Sequence, residues 1–262
     1  MLTKYTSPIL LFSLCLALLI YPLTQAHATT SDIDRAMYVW STAETTYGAE
    51  YIKNYLIENN ITTVVASSTN KTVFKQLLAT LPDEGIQVEL LVGSNSLLTN
   101  PDPTAYFDNL LNGIDTTKLS AIHLDVEPHA TSSFPDYHSR ESYYQNLYIK
   151  LLKTTKSYLE ERDIQLAVSI PVFYPKTIVK KIYKQADTIY VMAYQITSMD
   201  YLKKKLKEEF AQGKNKTVVA FRANDFENRA DFENYLARAA TKLQTNSFAL
   251  HDFGRFVTLD TQ

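Results

Sequence analysis

The sequence predicts an α/β protein built as a single (β/α)8 barrel, and three observations carry that prediction. From Arg35 onward, eight short β-branched or aromatic runs alternate with seven longer amphipathic stretches, the pattern of a parallel sheet covered by helices. Residues 29–262, 234 in all, suit eight such units closed into one barrel. The first strand-like run is followed by Ser41-Thr42-Ala43-Glu44, not by the glycine-rich phosphate turn of an open doubly wound sheet, and the whole chain has only six glycines.

In chain order, residues 1–28 come first and stand apart. Lys4 opens them, an apolar run over 8–21 follows, and Ala26-His27-Ala28 reads as a small-x-small cleavage site, the layout of a secretory signal peptide. An uncleaved anchor is the alternative. The run falls short of the roughly 20 apolar residues that a spanning helix needs, and Pro22 interrupts its end. The expectation is therefore an exported protein, secreted or periplasmic, with no stable membrane insertion after cleavage and one domain over 29–262.

The strand candidates are then 36–40, 62–66, 88–92, 120–127, 165–172, 188–194, 217–221 and 247–251. The helix candidates between them are 49–58, 71–80, 103–112, 140–161, 177–185, 199–212 and 230–243, and no linker or low-complexity segment interrupts the series. Cys15, the one cysteine, lies in the signal, which excludes cysteine catalysis and cysteine-ligated zinc in the mature protein. Without Lys4 the mature chain carries 25 basic and 28 acidic residues, a formal charge of −3. Its only basic run, Lys203-Lys204-Lys205, sits in a mixed-charge helix, so nucleic acid is not an expected partner.

The chemistry concentrates in Ser120-Ala121-Ile122-His123-Leu124-Asp125-Val126-Glu127-Pro128-His129. Side chains alternate along a strand, so Ile122, Leu124 and Val126 face outward helices while His123, Asp125 and Glu127 face the barrel interior. Ionisable groups turned inward are costly unless used, and two neighbouring carboxylates push their pKa values apart, one held as an acid beside an ionised partner. The C-terminal end of a barrel strand is also where barrel enzymes build their sites. The alternative is a structural polar cluster inside the barrel mouth.

Residues 121–127 resemble the strand-four signature of the family-18 glycoside hydrolases, the chitinases and endo-β-N-acetylglucosaminidases. Asp125 matches the last aspartate of that signature and Glu127 its glutamate. Ser120 and His123 stand where the family has two earlier aspartates, and Val126 replaces a frequent aromatic. Tyr190-Val191-Met192-Ala193-Tyr194-Gln195 resembles the family's Met-x-Tyr-Asp strand, with Gln195 for the aspartate. Leu90-Leu91-Val92-Gly93-Ser94 is a partial version of its Ser-x-Gly-Gly motif.

The resemblance implies retaining, substrate-assisted cleavage of an oligo- or polysaccharide containing N-acetylhexosamine. Glu127 would be the general acid, Asp125 would orient the acetamido group, and Tyr194 would donate to its oxygen. No metal or organic cofactor is implied. His123, Gln195, Met192, Trp40, Arg222 and Asp252 are the expected sugar-binding residues, with His251 and Phe253 also offered at the end of the eighth strand. Phe134, Tyr137, Tyr143 and Tyr144 would line a glycan groove or pack a loop. Three alternatives remain: a glycan-binding barrel without catalysis, a metal-dependent hydrolase using His123, Asp125 and His129, and a different glycosidase family on the same fold.

Overall fold

The computed structural model describes residues 33–260; the signal-peptide reading of residues 1–28 lies outside them. Eight parallel strands close into a barrel in sequence order: β1 (Asp34–Val39), β2 (Thr63–Ser67), β3 (Gln87–Val92), β4 (Ala121–Leu124), β5 (Gln165–Pro171), β6 (Thr188–Met192), β7 (Thr217–Arg222) and β8 (Ser247–His251). The seam pairs β1 with β8, placing Ala36 beside Ala249. The predicted fold class is therefore the observed one.

Nine α-helices are described around the barrel: α1 (Ser41–Glu58), α2 (Lys71–Thr80), α3 (Pro103–Leu111), α4 (Glu141–Glu160), α5 (Lys176–Ile182), α6 (Met199–Lys205), α7 (Lys207–Gly213), α8 (Arg229–Leu243) and α9 (Phe253–Leu259). Three departures from the predicted helices have local causes. Helical backbone begins at Ser41 and breaks at Gly48, whose φ of 73° a side chain would resist, so only its second half matched the predicted stretch. The predicted helix over 199–212 divides at Leu206, where ψ is 4°. The short α9 was not predicted because seven residues hold too little periodic signal; Phe253, Phe256 and Leu259 bury one face of it.

Strand alternation separates two apolar layers. Met37, Val39, Val64, Leu90, Ile122, Leu124, Val168 and Val191 point outward into the helix layer and are almost fully buried. Ala36, Ala121, Ala167, Ala220 and Ala249 point inward and leave space that Tyr38, Val65, Leu91 and Tyr190 fill. Small against large at facing positions closes a barrel core without voids. Side-chain caps fix several helix starts: Asn70 on α2, Asp102 before Pro103 on α3, Ser198 on α6, Asn228 on α8 and Asp252 on α9. Among the described residues no helix is long and apolar enough to cross a membrane.

Candidate active site at the C-terminal mouth

The β4 ladder ends at Leu124, yet the Asp125 N–H still donates to the Val92 carbonyl at 2.9 Å, so the alternation runs past the strand. Val126 is buried outward, and Asp125 and Glu127 stand at the barrel mouth. Asn95, on the β3 exit loop, accepts the Glu127 backbone N–H at 2.7 Å and donates its own amide to the Ser133 hydroxyl at 3.1 Å. That bridge fixes where the Glu127 side chain starts.

Burial raises the Asp125 carboxyl above the ordinary range, against opposing pulls from His123, His251 and the Ser169 hydroxyl. Its Oδ1 is buried without a hydrogen-bond partner. Glu127 is raised too, by burial first and then by the charge of Asp125. His129 Nε2 lies 3.8 Å from Glu127 Oε1, its Nδ1 is 3.2 Å from the Tyr174 hydroxyl, and burial lowers its pKa. The Tyr148 hydroxyl of α4 is buried and unpaired, raised by burial and by both carboxylates.

Tyr194 follows β6, and burial drives its phenol far above its normal range, with Asp125 and then Glu127 adding to the rise. It is therefore neutral and within electrostatic reach of both carboxylates. Its ring centroid lies 5.5 Å from that of His251 and 5.8 Å from the Arg222 guanidinium carbon. Asp225 holds this corner: it takes Arg222 Nη2 at 2.6 Å and the Gln195 backbone N–H at 2.7 Å. Gln195 has a φ of 60°, and its side chain points to solvent. Met192 ends β6, half-buried below Tyr194.

The indole of Trp40 crosses from β1 to the end of β8, where its N–H donates to His251 Nε2 at 3.1 Å. That acceptor role places the proton of a neutral His251 on Nδ1, which is buried with no partner. A Cβ on Gly93 would stand 3.3 Å from Trp40 Cζ3, so glycine lets the indole lie against β3. Beyond Trp40 opens a cavity of about 620 Å³, lined by Ser67, Lys71, Ser94, Tyr106 and Asn109 among others.

The structure thus brings Asp125, Glu127, Tyr194, His251, Trp40 and Arg222 to one mouth, and uses other expected residues differently. His123 is fully buried one level below, bonded to Glu89, Ser169 and Tyr38 and not to Asp125. Asp252 caps α9 through Oδ1 at 3.1 Å. Phe253 is fully buried against Tyr47 and Tyr55. Ser120 lies at the opposite end of β4, donating to the Val88 carbonyl at 2.7 Å. Phe134 and Tyr137 of the loop pack against Tyr144 of α4, and Tyr143 alone of that group is exposed. Among the described residues no group of three His, Cys, Asp or Glu side chains is placed to hold a metal ion.

Sequence reading missed Glu89, Ser169, Tyr38, Asn95, Tyr148 and Tyr174. Glu89 had a signal, a charge at an inward position of an otherwise apolar strand; the others carried none.

No protein-family model and no curated protein matches the sequence. Solved structures match in fold. The spore cortex-lytic enzyme SleL of Bacillus megaterium QM B1551 aligns at a TM-score of 0.63 and 12% identity over 87% of this chain and 73% of that one. The PgaB (BpsB) glycoside hydrolase domain of Bordetella bronchiseptica aligns at 0.58 and 10% identity, over 86% and 95%. Catalytic domain 2 of the Group II chitinase of Ostrinia furnacalis, solved with penta-N-acetylchitooctaose, aligns at 0.53 and 12% identity. That alignment covers 73% of this chain, which spans only 64% of that domain. At such identities the likeness establishes the fold alone, a closed (β/α)8 barrel.

Proposed function

We propose that this protein is a retaining glycoside hydrolase that cleaves N-acetylhexosamine-containing glycans with assistance from the substrate's own acetamido group. Glu127 protonates the glycosidic oxygen as the leaving group departs. The acetamido oxygen attacks the anomeric carbon, forming an oxazolinium that water then opens with Glu127 as base. Asp125 accepts the acetamido N–H and balances the developing positive charge, while the Tyr194 hydroxyl donates to the acetamido oxygen.

The observation carrying this reading is the mutual placement of Asp125, Glu127 and Tyr194: two carboxyls raised by burial beside a neutral phenol that both influence. The raised pKa of Glu127 favours the protonated form that a general acid needs. Trp40 offers an aromatic face for a sugar ring, and the adjoining cavity gives room for further sugar units. The sugar partner follows from these surfaces and from the chitooligosaccharide named with the Ostrinia domain. Residues 1–28 are proposed as a cleaved export signal, placing the enzyme outside the cytoplasm.

A screen of N-acetylglucosamine oligosaccharides, with product anomers read by NMR, tests the reading. The expected outcome is hydrolysis with retained configuration and a loss of about 10²–10⁴-fold in Glu127→Gln. An inverted product, or unchanged hydrolysis by that variant, overturns it.

A further inference from the structure

The outer wall of the barrel carries a charged groove that the mouth does not use. The helices α4 and α5 follow consecutive strands and pack side by side, and because each returns antiparallel to its strand the two run in the same direction. Between them lies a groove of about 450 Å³. Lys150 and Lys153 enter it from one face of α4, Lys181 from α5 and Lys184 from just beyond that helix. All four are exposed, and among the described residues none of them meets a carboxylate or any other partner. The acids on the adjoining turns, Glu160 and Asp187, are both taken by Lys156, and no acidic side chain lines the groove. Four unpaired ammonium groups thus gather on one strip of a chain whose residues 29–262 are net acidic. Like charges so placed repel one another, and a bound anion removes that cost.

We propose that this groove is a docking surface for an acidic polysaccharide, a chain of sugars bearing repeated carboxylates. Charge complementarity calls for the anionic groups, and the rest of the lining calls for sugar. Asn146 lies early in α4 and Gln185 just past α5, so the two stand toward opposite ends of the groove. Neither side-chain amide is engaged within the described protein, which leaves both donors and acceptors for hydroxyl groups. Ile149, 8% exposed, and the alkyl stems of the lysines form an apolar floor for the C–H face of a sugar ring.

Other polyanions fit less well. A bilayer surface is flat, whereas the groove is concave, and none of the large exposed apolar side chains lines it to insert among lipids. Nucleic acid would need a ring or guanidinium to stack on its bases, and no aromatic or arginine lines the groove. Docking breaks no bond, so this surface goes beyond the proposed glycosidase reading and does not depend on it. A polymer held along the barrel wall also stays close to the mouth, which raises its effective concentration there.

The test is a binding isotherm of the purified protein on immobilised alginate, a polyuronate, with neutral dextran, inorganic polyphosphate and phosphatidylglycerol vesicles as comparison ligands. Alginate should bind at low ionic strength and dextran should not. Binding should vanish near 1 M salt, where the Debye length is about 3 Å. Lys150→Gln with Lys153→Gln, and Lys181→Gln with Lys184→Gln, should each weaken binding about tenfold, the loss of two exposed charge pairs. Lys203→Gln with Lys204→Gln removes the same charge from α6 and should leave binding unchanged. No binding to alginate, or equal weakening by the α6 pair, overturns the groove as the site. Tighter binding to polyphosphate or to the vesicles overturns its assignment to an acidic polysaccharide. Hydrolysis of neutral N-acetylglucosamine oligosaccharides, measured on the same samples, should be equal in the wild type and the groove variants. Each of the two readings can therefore fail while the other stands.

Discussion

At the scale of single residues, the interplay of Asp125 and Glu127 predicts a pH profile. In the proposed mechanism Glu127 acts protonated, and its carboxyl is raised by burial and by the negative charge of Asp125, so activity should persist above the usual carboxylate range and fall as pH passes the raised value. Asp125→Asn removes that charge and should move the alkaline limb of kcat/KM toward lower pH in the residual activity; an unmoved limb would show that the two do not interact. Trp40 is the sole tryptophan, so intrinsic fluorescence reports its setting alone. Gly93→Ala would place a methyl 3.3 Å from the indole and push it off its seat. We expect an altered emission maximum and sugar affinity weaker by roughly 1 kcal/mol, about fivefold.

Elements set how firmly these residues are held. The helix α9 follows β8 at once, and Asp252 starts it by capping the Arg255 N–H. Asp252→Ala should cost about 1 kcal/mol in denaturant unfolding, whereas Asp252→Asn should cost little because the amide oxygen still caps. If Asp252→Asn keeps stability and also keeps sugar affinity, the residue serves the helix and not the ligand. The sequence pattern read strand positions more safely than helix ends. Alternation placed Ile122, Leu124 and Val126 outward and Asp125 and Glu127 at the mouth, although the fourth strand stops at Leu124. Pairing of the Asp125 N–H with Val92 carries the register one residue further than the ladder. Gly48 hid the first half of α1, since a helical period broken by a glycine of positive φ reads as two short signals.

For the molecule as a whole, two carboxyls outside the site bear on stability. Glu44 and Glu209 are each 1% exposed with unpaired carboxyl oxygens, and burial first of all raises each to about 7. Their folded values exceed the unfolded value of 4.5, so the folded state binds more protons across that interval. Stability is therefore intact below the unfolded value and declines as pH rises through about 7, by up to about 3 kcal/mol for each group. Thermal unfolding at acid and mildly alkaline pH should show this decline, and Glu44→Gln together with Glu209→Gln should flatten it. A melting temperature that rises with pH in the wild type would contradict the account.

The sequence by itself determined the barrel, the order of its strands and the outward or inward sense of each residue on β4, because alternation and βα repetition are local and survive without partners. It also marked Asp125, Glu127 and Tyr194, since their spacing along two strands carries a recognisable pattern. Only the tertiary structure decided who pairs with whom across the barrel. Glu89, His123, Ser169 and Tyr38 come from four different strands, and Trp40, just after β1, meets His251 of β8 over a gap of 211 positions. Closure brings such residues together by the geometry of a shared interior, and no local pattern along the chain encodes that proximity.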